Sequence, residues 1–243
     1  MKVIVSGASG KMGHASCNAV ENASDLTLVG KASRKDNLAD MIQSTQADVV
    51  VDMTHPSSVK QNVTTILENG AHAVVGTTGL TQDDLSELDA LAKSKGKTCI
   101  VCPNFAIGAV LMMQFAAQAA QVLKDVEIIE YHHNKKADAP SGTALKTSEL
   151  IQEKADVNTT PLDEEETVKG ARGGRHANVP IHSVRLPGVI ANQDVILGGD
   201  GETLTLSHRS LSRDCFMPGV LLCIRKAPEM SGVVYGLENL LSL

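Results

Sequence analysis

Apolar residues recur along the first hundred positions in two rhythms. Short β-branched runs alternate with longer segments whose apolar residues return every three or four positions. The runs at 2–6, 26–30, 47–53, 73–75 and 98–102 are short and rich in Val and Ile, and they predict strands. Segments at 14–22, 57–69 and 81–94 predict helices between them. Strands alternating with helices of this length imply an α/β fold on a doubly wound parallel sheet, which binds its ligands at the carboxyl ends of the strands. The turns at Gly7, Gly76 and Pro103 all fall at such ends.

The rhythm changes after about residue 105. A helix is expected over 107–124, a strand over 126–131, a helix over 141–154, and then alternating segments at 181–185, 194–197 and 203–208. Gly198, Gly199, Asp200 and Gly201 mark a turn between the last two, so these segments suggest a mixed or antiparallel sheet. Residues 215–225 read as a helix that returns to the first part of the fold. The expected organisation is therefore one domain made of residues 1–105 plus 214–243, with an α+β domain of residues 106–213 inserted in it.

Composition narrows the classes of function. A length of 243 residues supports a substantial core, and a net charge of -6 argues against general nucleic-acid affinity, which needs a basic surface. No stretch approaches the roughly 18 consecutive apolar residues needed to span a bilayer, so a cytoplasmic protein is expected. Five cysteines fit a reducing compartment. Cys99 and Cys102 form a C-x-x-C, but inside a predicted strand and without a second ligand pair, so no metal site is expected. Asp163, Glu164, Glu165 and Glu166 precede Arg172, Arg175, His176, His182 and Arg185. That segment is either a mobile surface loop or a contributor to an anion site.

Gly7, Ala8, Ser9, Gly10, Lys11, Met12 and Gly13 join the first strand to the first helix, the context that a dinucleotide cradle requires. Their spacing is G-x-x-G-x-x-G, which also suits an ordinary strand-to-helix connection. The second predicted strand leads into Lys31, Ala32, Ser33, Arg34 and Lys35, where an NAD-binding chain usually places a carboxylate for the ribose. Arg34 and Lys35, with Lys11, would attract a 2'-phosphate, which favours NADPH over NADH; the alternative is a polar turn that reads neither. The densest chemistry lies at 130–143: Glu130, Tyr131, His132, His133, Asn134, Lys135, Lys136, Ala137, Asp138, Ala139, Pro140, Ser141, Gly142 and Thr143. Adjacent imidazoles, lysines and a Ser-Gly-Thr helix start suit the binding and protonation of an anion better than they suit a core.

Together these motifs resemble the 4-hydroxy-tetrahydrodipicolinate reductase (dihydrodipicolinate reductase) family of the bacterial lysine and diaminopimelate pathway. The resemblance runs from residues 7–13 through 76–79, Asn104-Phe105 and above all 132–143, to His208-Arg209 and Ser212-Arg213-Asp214, so it covers essentially the whole chain. It implies an N-terminal Rossmann-type domain, a substrate-binding and oligomerisation domain on a mixed sheet, commonly a homotetramer, and a small dicarboxylate substrate. The implied reaction passes hydride from NADPH, or NADH, to the substrate ring with loss of water. Within it, His132 and Lys136 match the proton-handling residues, and His133, Gly142, Thr143 and Arg213 the substrate contacts. Gly7 to Met12 match the pyrophosphate loop, Gly76, Thr77 and Thr78 a second cofactor contact, and Cys102, Pro103, Asn104 and Phe105 a turn near the nicotinamide. Three departures from the family pattern are Cys102-Pro103, where small residues are usual, Ala106 for a frequent Ser, and Pro180 for a common Gly. A different two-domain nicotinamide-dependent dehydrogenase or a non-enzymatic NADP-binding sensor could share the glycine loop, but neither needs the full series at 132–143.

Overall fold

The computed structural model describes residues 1–159 and 165–241. Asp163 and Glu164 of the acidic stretch lie outside the described residues. The chain divides into two compact units, Met1–Ile107 with Arg213–Leu243, and Gly108–Ser212.

The first unit carries a six-stranded sheet. Its elements are β1 (Lys2–Ser6), α1 (Lys11–Glu21), β2 (Thr27–Ala32), α2 (Leu38–Thr45), β3 (Val49–Asp52), α3 (Val59–Glu68), β4 (His72–Val75), α4 (Gln82–Ser94) and β5 (Thr98–Val101). Strand order is β2-β1-β3-β4-β5, continued at the far edge by β11 (Gly232–Tyr235), and every pairing is parallel. β3, β4 and β5 are buried at every position, as expected of strands covered on both faces. On one side Ile4, Val50, Ala73, Val75 and Cys99 pack with Ile42 of α2, Val63 and Ile66 of α3 and Leu88 of α4. The strand order reverses between β1 and β3, and such a switch point is where doubly wound sheets open a ligand crevice.

The second unit is built on α5 (Ile107–Ala119, which begins one residue before it), β6 (Asp125–His132), α6 (Gly142–Lys154), β7 (Gly174–His176), β8 (Val179–Arg185), β9 (Ala191–Gly199) and β10 (Glu202–Arg209). Its sheet runs β10-β9-β6-β8-β7; only β6 and β8 pair in parallel, so the sheet is mixed. Along β6, Val126, Ile128 and Glu130 are buried while Glu127, Ile129 and Tyr131 keep some exposure. α6 packs against β6 and β7.

Most predicted elements appear with shifted ends. α1 starts at Lys11 rather than 14, because Gly10 is its N-cap and Gly13 already lies in the first turn. α5 ends at Ala119 rather than 124, giving way to a tight turn through Gln121 and Leu123. α2, β7 and β11 were not foreseen; they are short, with eight, three and four residues. The chain then returns to the first unit through a 3-10 turn (Arg213–Phe216) and α7 (Met217–Lys226).

α7 approaches the turn after β5 so closely that a Cβ on Gly219 would sit 2.1 Å from the Phe105 carbonyl oxygen. Alanine in a helix interior gains about 1 kcal/mol over glycine, but a rigid backbone oxygen at that distance cannot yield, and overpacking of this kind costs about 1–3 kcal/mol. Gly219→Ala is therefore expected to lower stability, read as a fall in Tm, whereas Gly174→Ala, with nothing within 4 Å of the added carbon, should change it by no more than about 0.5 kcal/mol. Equal melting temperatures for the two variants would contradict this packing.

Candidate active site

In the first unit the glycine loop lies at the switch point. Gly7 has φ +79, and a Cβ there would stand 2.3 Å from the Met53 carbonyl oxygen at the end of β3. A Cβ on Gly13 would stand 2.1 Å from the Gly7 carbonyl oxygen. The first glycine thus permits the turn and the third lets α1 close on the loop. The amides of Gly7 and Ala8 both donate to Ala32 O of β2, at 3.0 and 3.2 Å, and that of Gly10 to Gly7 O at 2.9 Å. Those three amides therefore serve the loop itself. The groups left for a ligand are at the opening of α1, from Lys11 onward, where Gly10 has no side chain to cap the helix and the positive end of its dipole faces outward. A cradle so tight that side chains would fill it, ending in an uncapped helix, fits a pyrophosphate.

After β2, Arg34 and Lys35 are exposed on a turn stapled by Asp36. The Asp36 carboxylate accepts from the Ser33 hydroxyl at 2.7 Å and the Ser33 amide at 2.8 Å, and these bonds hold its carboxyl below the usual range. Asp36, not weighed in the sequence, is thereby already engaged, and the two cations form the outer tip of the turn.

At the ends of β3 and β4 a polar knot was likewise not foreseen. Asp52 is fully buried; its carboxylate accepts from the hydroxyls of Thr77 (2.5 Å) and Thr54 (2.8 Å) and from the Asn62 amide nitrogen (2.8 Å). Thr77 therefore faces inward and ties the Gly76–Thr78 turn down, while Thr78 is exposed. A Cβ on Gly76 would meet the Phe105 ring at 2.7 Å. Phe105 is only 4% exposed, so its ring is a core group under the turn. Cys102 is buried too, 3.6 Å from Cys223, and that contact together with burial pushes its thiol up. Pro103 is exposed, and the Asn104 side-chain oxygen accepts from the Ala106 amide at 2.9 Å, which shapes the turn.

In the second unit the residues around 132 gather on one buried carboxylate. Glu130 has no solvent exposure, because strand alternation places it on the same face as Val126 and Ile128. Arg185 clamps it from β8: one guanidinium nitrogen donates to Oε2 and the other to Oε1, each at 2.8 Å. The Ser141 amide donates to Oε1 at 3.2 Å, and His132 Nδ1 lies 2.5 Å from Oε2. Burial pushes the Glu130 carboxyl up, but the bonds from His132, Arg185 and Ser183 outweigh it and bring it down to about 2. It is ionised at neutral pH.

That carboxylate also registers the rest of the run. Arg185 donates to the Asp138 carbonyl at 2.7 Å, and Asp138 in turn chelates Lys136 Nζ at 2.7 and 2.8 Å. The Lys136 ammonium holds the Asp138 carboxyl below its usual range. Ser141 caps α6 by accepting from the Ala144 amide at 3.2 Å, so Gly142 and Thr143 form its first turn. Gly142 is exposed, with nothing within 4 Å of an added Cβ. The buried Nδ1 of His133 has no hydrogen-bond partner. An imidazole with a fixed partner, an ammonium on a short tether, an unpartnered ring nitrogen and a helix start can together bind a carboxylate and move a proton.

His132, His133, Lys136, Gly142 and Thr143 thus belong to one loop-and-helix cluster, whereas Arg213 is exposed at the start of the 3-10 turn in the other unit. The basic stretch has internal partners: His176 bonds Ser148 at 2.8 Å, His182 bonds Glu127 at 2.8 Å, and Arg185 holds Glu130. Glu166 accepts the amides of Gly170 and Arg172, both at 2.9 Å, closing the turn before it. Glu130 and Arg185 were both in view in the sequence but without these roles; a charged residue in phase with the buried face of β6 was the available signal. No helix among the described residues is long and apolar enough to cross a membrane.

Comparisons with known proteins agree over both units. The family model for the dihydrodipicolinate reductase N-terminus matches residues 1–105 and that for the C-terminus residues 108–241. A 4-hydroxy-tetrahydrodipicolinate reductase of Legionella pneumophila (strain Lens) is 48% identical over 242 residues, 99% of either chain. One of Coxiella burnetii (strain Dugway 5J108-111) is 48% identical over 241 residues, again 99% of both. Among solved structures, a dipicolinate-bound dihydrodipicolinate reductase from Paenisporosarcina sp. TG-14 superposes with a TM-score of 0.92 at 41% identity, covering 99% of each chain. With both halves matched end to end, and nearly half of its residues shared with such reductases, this chain belongs to the dihydrodipicolinate reductase family.

Proposed function

We propose that this chain reduces 4-hydroxy-tetrahydrodipicolinate to tetrahydrodipicolinate in lysine and diaminopimelate biosynthesis, adding one hydride and one proton to the substrate ring and releasing one water. The observation that carries the site assignment is the Glu130 carboxylate, which holds an acid–base imidazole and an anion-binding helix start at once. The first unit is the dinucleotide-binding domain and the second the substrate-binding and oligomerisation domain. Residues 7–12, 76–78 and 102–105 would hold the nicotinamide cofactor, which would supply the hydride.

The chain's own residues do the remainder. The first turn of α6, through Gly142 and Thr143, and the His133 imidazole take a substrate carboxylate, because a helix N-terminus and ring N–H groups favour an anion. Arg213 offers a bidentate partner for a carboxylate. His132 and Lys136 handle the proton, and Asp138 holds the Lys136 ammonium until substrate competes for it. Arg34 and Lys35, exposed after β2, read the 2'-phosphate, so NADPH is the preferred cofactor and NADH a possible one.

The activity and cofactor readings are tested in one assay, oxidation of NADPH or NADH with the freshly formed condensation product of pyruvate and aspartate semialdehyde. NADPH is expected to be oxidised faster at limiting concentration, and Arg34→Glu to raise KM for NADPH more than for NADH. No oxidation of either cofactor beside a working control reductase would sink the activity, and equal KM effects would remove Arg34 from phosphate reading.

For the proton role, His132→Gln should lower kcat by about 10²–10⁴-fold while leaving NADPH binding nearly unchanged, the range general acid–base catalysis contributes. Full turnover in this variant would take His132 out of the acid–base step.

The partly open face of β6, with Glu127, Ile129 and Tyr131, is the surface we assign to a homotetramer, in a cytoplasmic enzyme. Light scattering should give four chains per particle with the activity in the cytosolic fraction; a monomer at working concentration would contradict the assembly.

A further inference from the structure

We infer that Glu130, clamped by Arg185, is the positioning residue that fixes the His132 tautomer, so that Nε2 is the ring nitrogen that gives up and regains the proton. The inference rests on the acid–base role proposed for His132 and adds the group that makes that role specific.

Two guanidinium nitrogens of Arg185, the Ser141 amide and His132 Nδ1 converge on the Glu130 carboxylate, which the Ser183 side chain also bonds. An ionised carboxylate can only accept, so the 2.5 Å contact to His132 requires the hydrogen on Nδ1. Nδ1 is then occupied in both charge states of the ring. Proton exchange is left to Nε2: when the ring acts as acid, the Nε2–H bond breaks, its electron pair stays on nitrogen, and the neutral ring keeps Nδ1–H on Glu130. Glu130 itself takes no proton. Nε2 is afterwards reloaded from solvent while Nδ1–H stays on Glu130. The other charged groups tied into this cluster are Arg185, which bonds the Asp138 carbonyl, and the Lys136–Asp138 pair.

Stability alone does not account for this arrangement. Glu130 occupies a buried position in phase with Val126 and Ile128, and replacing buried ion pairs by apolar residues is often neutral or stabilising. What an apolar residue in that position could not do is accept from His132 and from the amide that precedes Gly142. Because Oε1 bonds Ser141 while Oε2 bonds His132, one rigid group sets the imidazole relative to the first turn of α6. A Gln at this position would keep one acceptor but set its amide nitrogen against Arg185 and either the Ser141 amide or His132 Nδ1, and the second choice reverses the tautomer.

The test compares Glu130→Gln, His132→Gln and the double variant, with Glu229→Gln, an exposed carboxylate paired with Lys226 in the first unit, as the control. Glu130→Gln is expected to lower kcat by about tenfold to a hundredfold, as loss of a carboxylate orienting a functional histidine commonly does, with NADPH affinity unchanged. The double variant should be no slower than His132→Gln, since the two residues act as a unit, and Glu229→Gln should keep full activity. Wild-type kcat in Glu130→Gln, alongside an impaired His132→Gln, would overturn this inference and leave the acid–base reading standing; so would independent, multiplying losses in the double variant. Full activity in His132→Gln would overturn the acid–base reading itself, and this inference with it. Should Glu130→Gln not fold, long-range ¹H–¹⁵N correlation spectra of the unmodified protein decide: a neutral His132 ring protonated on Nδ1 supports the assignment, and one protonated on Nε2 overturns it.

Discussion

A carboxylate removed wholly from water, with no donor to meet it, would carry a penalty of several kcal/mol, and the second unit is arranged around meeting that demand at Glu130. Arg185 answers it from β8, Ser141 from the start of α6 and His132 from the same strand. Each answer places something useful. The helix whose first turn can hold an anion is pinned by its cap residue, the imidazole is pinned by Nδ1, and the loop carrying Lys136 is pinned through the Asp138 carbonyl. Chemistry and local fold therefore share one electrostatic requirement. The depression of the Glu130 carboxyl to about 2 means that the requirement holds across the physiological range.

The first unit is shaped by different means. There, close approach of backbone to backbone does the shaping: Gly7 against the Met53 carbonyl, Gly13 against Gly7, Gly76 over Phe105, and Gly219 against the Phe105 carbonyl. Beneath these contacts the buried Asp52 ties the turns after β3 and β4 together through Thr54, Thr77 and Asn62. The crevice at the switch between β1 and β3 is thus bordered by turns fixed from below, with the uncapped opening of α1 as its polar wall.

How much of this could be read from residues alone differs by element. β1 and β3 to β5 were legible because parallel strands buried on both faces collapse into short Val and Ile runs. α2 was not, since among its eight residues only Ile42 is fully buried; β11 has four residues and owes its place to pairing with β5. In the site, the reactive residue types at 132–143 were visible, but their partner was not. Arg185 lies 55 residues from Glu130 and arrives through a parallel register that sets it beside His132 and sets Ser183 beside Glu130. Nothing in local spacing encodes that register. The basic stretch looked available for a ligand because its acceptors, Glu127 and Glu130, sit on a distant strand.

The three departures from the family pattern bear on which parts of the two units tolerate change. The Cys102 side chain points into the core at Cys223, and the amide of Ala106 is met by Asn104, so neither position needs a hydroxyl to hold the turn. Pro180 has no amide to offer, but its partner on β7 is Arg175 in a three-residue edge strand that makes little use of one. All three sit where backbone geometry or edge pairing sets the structure. Around Glu130 the opposite holds, because every bond is made by a particular side chain or by the amide of the capping serine. A ligand read by main-chain amides leaves side chains free to vary, whereas a proton delivered from one ring nitrogen requires each neighbour of that ring to keep its chemistry.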